Sequence, residues 1–258
     1  MARLERLRIY PVKGLDGADV ETVEIRPGGT LAGDRRYALL DGEETINAKD
    51  SERFHRLDTD FDPATDELVV DLPVGDRERF DLSTGSDRER AADWFGDYFG
   101  LNLSLARDTE VGFVDRPSMG PSVISTATLE TVASWFEDLT VESARRRLRA
   151  NVEVSGVPAF WEDRFLGDDA PAFEAGGVRF EGVTPCGRCV VPQRDPDTGE
   201  PLEGFKQRFV RKREETFPEW ADRDAFDHSY SLMLISDVPE AYRGETLSVG
   251  EDVTVVER

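Results

Sequence analysis

The chain has 258 residues, of which 54 are acidic and 32 are basic, so its formal net charge is −22. Because nucleic acids and anionic membranes are also negatively charged, this balance argues against a general binder of either. Only four of the basic residues are lysines, and this scarcity together with the acidity favours a halophile's protein over an ordinary globular protein with a solvated acidic surface. A hydrophobic fraction of 38% predicts a folded chain of one large or two small domains.

The first residues and the cysteine count indicate the compartment. The start, Met1-Ala-Arg-Leu-Glu-Arg-Leu7, has no apolar core of a signal peptide. The longest aliphatic run in the C-terminal part, Leu232–Ile235, is far shorter than the roughly 20 residues of a membrane-spanning helix. Two cysteines, Cys186 and Cys189, do not make a secreted disulfide framework. We therefore expect a cytoplasmic protein without a membrane segment.

The first hundred residues are rich in predicted strands. Alternating or continuous apolar residues predict short strands at Leu7–Ile9, Val23–Ile25, Tyr37–Leu40 and Leu68–Leu72. One helix is expected in this half, with a capping box at Ser86–Glu89 and an end at Gly100.

A segment with two prolines and a glycine, Asp115–Pro121, predicts a boundary between domains at 1–115 and 116–258. After it, apolar spacing predicts helices over 129–136 and 141–148. Strands are expected at Asn151–Val154, Val178–Phe180, Cys189–Val191 and Leu232–Ile235, and a terminal hairpin should pair Leu247 and Val249 with Val253 and Val255. Many short strands with a few irregularly placed helices predict an α+β, mainly β protein built on sheets or barrels.

The two cysteines lie three positions apart and allow three interpretations. They could be two small residues on a turn, a redox dithiol, or a pair of which one thiolate binds a soft metal. A redox pair favours a helix after the first cysteine, whereas the residues after Cys189 (Val-Val-Pro) indicate a strand. Arg188 would favour the ionised form of the adjacent Cys189, and thiolates suit soft metals.

Standard motifs are otherwise missing. The sequence contains no dinucleotide-binding or phosphate-binding glycine loop, no metalloprotease helix motif and no serine-hydrolase elbow. With His55 and His228 as its only histidines, it offers a poor ligand set for structural zinc.

Two basic clusters stand out on this acidic chain, at 145–149 and 206–213. They could compensate neighbouring acidic residues, or they could line a pocket for an anion, because guanidinium groups bind phosphate through paired hydrogen bonds. Lys13 and the Arg35–Arg36 pair could reach the same pocket.

Six short segments match the motifs of one protein family in the same order along nearly the whole chain. They are Tyr10–Gly14 (Y-P-V-K-G), Gly33–Tyr37 (G-D-R-R-Y), Pro121–Leu129 (P-S-V-I-S-T-A-T-L), Arg147–Asn151 (R-L-R-A-N), Cys186–Gly199 (C-G-R-C and D-P-D-T-G) and Gly244–Val253 (G-E-T-L-S-V-G-E-D-V). On these residues the chain resembles MOSC-domain proteins with the associated N-terminal β-barrel domain, the group that contains the amidoxime-reducing components. The resemblance implies an N-terminal β-barrel-like domain followed by a MOSC β-barrel domain with a few peripheral helices.

The resemblance also implies a molybdenum cofactor, a phosphate-bearing pterin dithiolene whose metal is held additionally by one protein thiolate. The family ligand corresponds to Cys189, and Cys186 would be a neighbour of the metal and not a ligand. The other cofactor-binding positions that it implies are Lys13, Gly14, Arg35, Ser125, Thr126, Arg149, Asn151, Gly187 and Arg188. Of these, Ser125 or Thr126 would act at a helix start, and Gly187 and Arg188 would present backbone amides.

The family's chemistry implies reduction of small N-hydroxylated substrates. Two cysteines cannot hold an iron–sulfur cluster, so the electrons should come from a separate ferredoxin-type or flavin-type protein. The alternative is a cofactor carrier or sulfur-transfer protein without reductase activity. MOSC domains also occur in cofactor sulfurases beside a pyridoxal phosphate-binding domain, which this sequence is not expected to contain.

Overall fold

The computed structural model describes residues 1–72, 75 and 77–257. The strands of the first half are β1 (Arg3–Ile9), β2 (Ala18–Val20), β3 (Thr22–Glu24), β4 (Tyr37–Asp41), β5 (Glu44–Ile46), β6 (Asp58–Asp62), β7 (Glu67–Asp71), β8 (Arg77–Asp81) and β9 (Leu103–Arg107). Those of the second half are β10 (Ser122–Ser125), β11 (Val152–Ser155), β12 (Ala172–Ala175), β13 (Val178–Gly187), β14 (Ser231–Asp237), β15 (Thr246–Ser248) and β16 (Val253–Val256). The α-helices are α1 (Gly85–Phe99), α2 (Thr126–Ser134), α3 (Val141–Leu148) and α4 (Phe205–Glu215), and short 3-10 helices include Val191–Gln193. The predicted α+β, mainly β class is confirmed.

The largest sheet among the described residues has eight strands in the order β16-β12-β13-β14-β10-β11-β1-β2. It joins the beginning of the chain to its second half, because β1 pairs antiparallel with β11, which pairs parallel with β10. One face buries a core in which the aromatic residues Trp161, Phe165, Phe173 and Phe180 pack together. The sheet takes strands from both sides of residue 115, and the domain division there stays a prediction.

Six further strands of the first half form two three-stranded sheets, β5-β4-β9 and β6-β7-β8, with α1 against β8 and β9, while β3 pairs with β15. Their shared core includes Tyr37, Phe80 and Phe95. The predicted cap of α1 was wrong by two residues. Thr84 is the N-cap and accepts a hydrogen bond from Asp87 N, while Gly100 ends the helix in the left-handed conformation as predicted, at φ 74°.

Two predicted strand arrangements were also wrong. Strand β13 already ends at Gly187, and the chain then passes through Cys189 into the 3-10 helix at Val191–Gln193, because Pro192 cannot donate to a sheet. The terminal hairpin does not form either, since β15 pairs with β3 while β16 pairs with β12. The turn at Gly250 is instead held by Leu4 of β1, whose carbonyl accepts from Gly250 N at 2.7 Å.

Within the described part of the chain, none of the helices is both long and apolar enough to cross a membrane.

Candidate functional site

A cavity of about 580 Å³ lies where the ends of β1, β10, β13 and α3 meet the loops of the first half. Eight of the ten predicted site residues line it. They are Lys13, Gly14, Arg35, Arg149, Asn151, Gly187, Arg188 and Cys189.

The chain after β1 places Lys13 at the cavity. Lys13 N donates to Tyr37 O at 2.8 Å, which ties this loop to the start of β4. Gly14 follows at φ +97°, and a Cβ there would lie 3.1 Å from Asn47 Cα, so both the conformation and the space require glycine.

Arg35 reaches the cavity from a left-handed backbone position at φ 47°, held by a bond from Arg35 N to Tyr10 O of 2.8 Å. Its guanidinium is hydrogen-bonded to the buried Asp34 carboxylate. Burial opposes the charged form, but the charge of Asp34 raises the pKa of Arg35 above its usual value. The neighbouring Arg36 points elsewhere and pairs with Asp66 at 2.7 Å.

Arg149 is the C-cap of α3 and adopts the left-handed conformation at φ 60°, which turns it out of the helix. Its guanidinium lies 4.0 Å from the centre of the Tyr10 ring and donates to Leu15 O at 2.7 Å. Arg35 lies over the same ring at 5.3 Å. Burial lowers the pKa of Arg149, and the like charge of Arg35 adds to this effect. An anion in the cavity would therefore stabilise both guanidinium groups.

The other arginines of the 145–149 cluster compensate acidic neighbours. Arg145 pairs with Glu153 at 2.7 Å, and Arg146 pairs with Asp197 at 2.6 Å. Arg147 pairs with Asp195 at 3.2 Å. Charge compensation is therefore confirmed for these three arginines, whereas Arg149 lines the cavity and its binding of an anion stays a prediction.

The two cysteines lie at the end of β13, are both free, and both line the cavity. The sequence suggested that the charge of Arg188 would act on Cys189. In the structure the guanidinium contacts Cys186 instead, with Arg188 Nη1 3.1 Å from Cys186 Sγ. Arg188 Nη2 donates to Leu148 O at 2.9 Å, and its buried Nε has no hydrogen-bond partner.

The backbone around Cys189 is fixed by Tyr230. The hydroxyl of Tyr230 donates to Cys189 O at 3.2 Å, and burial raises the pKa of this hydroxyl to about 12. The amide of Arg188 donates to Tyr230 O at 2.9 Å. This amide is therefore already engaged, which corrects the expectation that it would face a ligand.

Asn151 lines the cavity, but its side chain mainly joins strands. Its Oδ1 accepts from Ser122 Oγ at 3.0 Å at the start of β10, and its Nδ2 donates to Arg8 O in β1 at 3.1 Å. It therefore holds together the strand ends that form the cavity wall.

The described residues that line the cavity do not include Ser125 or Thr126. Ser125 is the N-cap of α2 and accepts from Thr128 N at 3.1 Å, while Thr126 donates to Glu153 at 2.9 Å. The start of β10, at Ser122, faces the cavity, and the end of this strand lies roughly 10 Å further on. The motif match therefore identified a strand that borders the cavity, but it named residues at the end of the strand that lies away from the cavity.

Sequence reasoning missed Lys49, Asp115 and Arg116, which also line the cavity. Lys13 Nζ and Lys49 Nζ each lie 2.7 Å from one oxygen of the Asp115 carboxylate. The rarity of lysine was a signal in the sequence that could have pointed to Lys49, since two of the four lysines of the chain meet at this carboxylate.

The residues present fit an anionic cofactor that also needs one thiolate. Among the described residues, six cationic side chains line the cavity against the two carboxylates of Asp34 and Asp115, on a chain with a net charge of −22. The buried Arg188 Nε is a hydrogen-bond donor without a partner, on a guanidinium that also contacts Cys186 Sγ. Cys189 lines the same cavity and would supply the thiolate of such a cofactor.

The comparisons with known proteins identify the domain types of the chain. The MOSC N-terminal beta barrel domain matches residues 1–100, and the MOSC domain matches residues 118–225. The chain is 24% identical to the mitochondrial amidoxime-reducing component 1 of Xenopus laevis, covering 79% of this chain and 70% of that protein. It is also 24% identical to the molybdenum cofactor sulfurase of Caenorhabditis briggsae, covering 74% of this chain but only 29% of the sulfurase. The chain therefore belongs to the proteins that combine a MOSC N-terminal beta barrel domain with a MOSC domain.

Proposed function

We propose that this chain binds the molybdenum cofactor in the cavity and reduces small N-hydroxylated compounds. The observation that carries the proposal is the cavity itself, which combines the thiol of Cys189 with a concentration of positive charge on an otherwise acidic protein. The similarity to an amidoxime-reducing component over 79% of the chain supports the reaction class.

In this proposal Cys189 is the single protein ligand of the metal, and Lys13, Arg35 and Arg149 hold the phosphate and the pterin. When bound, the cofactor supplies the two-electron redox chemistry. The chain positions the thiol by fixing the backbone of Cys189 to Tyr230, and it keeps the guanidinium groups in place through Asp34 and the Tyr10 ring.

Cys186 has a different part in this scheme. Its Sγ contacts Arg188 and lies 4.0 Å from Arg116 Nη1, so it orients two guanidinium groups at the cavity wall. The electrons are proposed to come from a separate ferredoxin-type or flavin-type protein, because the chain has only two cysteines and cannot hold an iron–sulfur cluster of its own.

The first test measures molybdenum and pterin in protein purified from a host that makes the cofactor. We expect about one of each per chain, in line with a single thiolate ligand. The Cys189→Ala variant should lose the metal and all reduction of benzamidoxime by an artificial reductant, whereas Cys186→Ala should keep the metal and weaken the activity. Equal loss in both variants would point to a dithiol mechanism instead.

A second candidate function, cofactor carriage or sulfur transfer, is supported by the similarity to the molybdenum cofactor sulfurase. Protein that carries metal and pterin but reduces neither benzamidoxime nor hydroxylaminopurine would favour it over the reductase. Protein without metal from a cofactor-producing host would contradict both.

A further inference from the structure

Asp115 occupies a place in the cavity that is built for an anion. Its two carboxylate oxygens each accept a hydrogen bond from a different lysine, Lys13 and Lys49, at 2.7 Å. Two ammonium groups that share one anion through two separate oxygens make the arrangement that a phosphate group would also satisfy.

The charges show how strongly this place favours an anion. Although partial burial opposes ionisation, hydrogen bonds from Lys13 and Lys49 and their charges lower the pKa of Asp115 well below its usual value. The charge of Asp115 also contributes to the raised pKa of Arg35. Three cations therefore act on one carboxylate, which is ionised at neutral pH.

The segment that carries Asp115 is attached to the rest of the protein on both sides of it. No regular helix or strand lies in the described residues between Arg107 and Ser122. Phe113 N donates to Arg35 O at 2.7 Å, and Gly120 N donates to Ser236 O at 2.6 Å. Between these two points the side chain of Asp115 is 49% exposed, so it can turn away without breaking a sheet.

We propose that Lys13 and Lys49 form one phosphate-binding subsite, that Asp115 is its internal occupant, and that the phosphate group of a ligand enters by displacing Asp115. With the carboxylate in place, an incoming phosphate would meet a like charge between the two lysines. The subsite takes a phosphate monoester, and the identification of that ester as the cofactor rests on the proposed function.

The first experiment uses inorganic phosphate and cofactor-free protein, with calorimetry at fixed ionic strength. Asp115→Asn should bind phosphate about tenfold more tightly than the wild type, because the competing charge is gone. Adding Lys49→Ala to Asp115→Asn should remove this gain. The matched control is Glu110→Gln, which removes a charge from an exposed position of the same segment and should bind phosphate like the wild type.

Equal phosphate affinity in Asp115→Asn and the wild type, or the same gain in Glu110→Gln, would overturn the proposal. The outcome does not depend on whether the cofactor binds. A protein that shows the gain but never acquires molybdenum and pterin would keep the subsite and contradict the proposed function.

A second measurement needs no variant. Hydrogen exchange of the wild type, followed by mass spectrometry with and without saturating inorganic phosphate, reports on the segment 113–119 and on residues 12–14. Displacement of Asp115 should speed exchange in the first region and slow it in the second. Slower exchange in both regions would mean that phosphate binds with Asp115 still in place, and the displacement would then be wrong.

Discussion

The two basic clusters of the chain are similar in sequence, but their side chains have different surroundings in the structure. In the cluster at 145–149, Arg149 lines the cavity and its neighbours pair with carboxylates. In the cluster at 206–213, the guanidinium of Arg213 is 1% exposed, is hydrogen-bonded to Asp163 and lies 4.6 Å from the centre of the Phe160 ring. Lys212 pairs with Glu215 at the surface.

The difference shows that the number of positive charges in a segment does not identify a binding site. What separates the residues of these two clusters is whether a carboxylate of the protein neutralises each charge, and where the backbone directs the side chain. Arg149 points to the cavity because it caps α3 in the left-handed conformation. Arg213 lies inside α4 and faces the buried Asp163.

The largest effect is expected for Arg213→Met, which would leave the buried Asp163 carboxylate without its partner. The free energy of unfolding should fall by about 3 to 5 kcal/mol, measured by urea denaturation. The double variant with Asp163→Leu should recover most of this loss, because it removes the second charge as well. A loss below about 1 kcal/mol would show that the ion pair does not stabilise the fold as described.

The next effect concerns ligand retention. Arg149→Gly removes the guanidinium while keeping a residue suited to the left-handed C-cap, so stability should change little. Cofactor retained after dialysis should fall about tenfold to a hundredfold, as expected for loss of a charged hydrogen bond. Arg146→Ala, which breaks a pair with Asp197, is the control and should retain the cofactor. A similar loss in both variants would contradict the distinction between these two arginines.

A third prediction concerns pH and the carboxyl next to Asp163. Burial and the charge of Asp163 raise the pKa of Glu162 from its ordinary 4.5 to about 8, and its Oε1 has no hydrogen-bond partner. Between these pH values the folded state binds more protons than the unfolded state, so the free energy of unfolding should fall as pH rises, by up to about 1.4 kcal/mol per unit. In Glu162→Gln this contribution should disappear. Parallel stability curves for the two proteins from pH 5 to about pH 8 would show that Glu162 does not titrate in this way.

The smallest effect is expected at the surface of the second cluster. Lys212→Ala breaks an exposed pair with Glu215 and should change the free energy of unfolding by less than about 0.5 kcal/mol. The cofactor content should be unchanged. A fall in cofactor content would mean that the second cluster also contributes to the site.

The sequence predicted those parts of the site that depend on short motifs. Lys13, Arg35 and Arg149 each occur in a segment of five residues, and the structure brings all three to one cavity. The Lys49–Asp115 pair could not be found in this way, because its members lie 66 positions apart and meet only through the fold.

Errors in the fold have a similar origin. The residues around Gly250 do form a turn, but the strands on its two sides join different partners, β3 and β12, which no local pattern reveals. Ser125 was expected at the site from the family resemblance, acting at a helix start, whereas the orientation of β10 directs its other end to the cavity. Local periodicity predicts where a helix or strand forms. The pairing of that element with distant strands determines which of its ends lies at the cavity.

The position of β1 has a consequence for the time at which the protein can become functional. This strand is synthesised well before its partners: it pairs with β11, and its Leu4 is hydrogen-bonded to Gly250 and Glu251. Contacts across such separations form slowly, since the long intervening chain must first be closed. During synthesis the residues after β1, including Lys13, must therefore wait for β11 and the turn at Gly250 to leave the ribosome before β1 has all these partners. Completion of the cavity wall is therefore coupled to pairing of β1 with strands that are distant in the sequence.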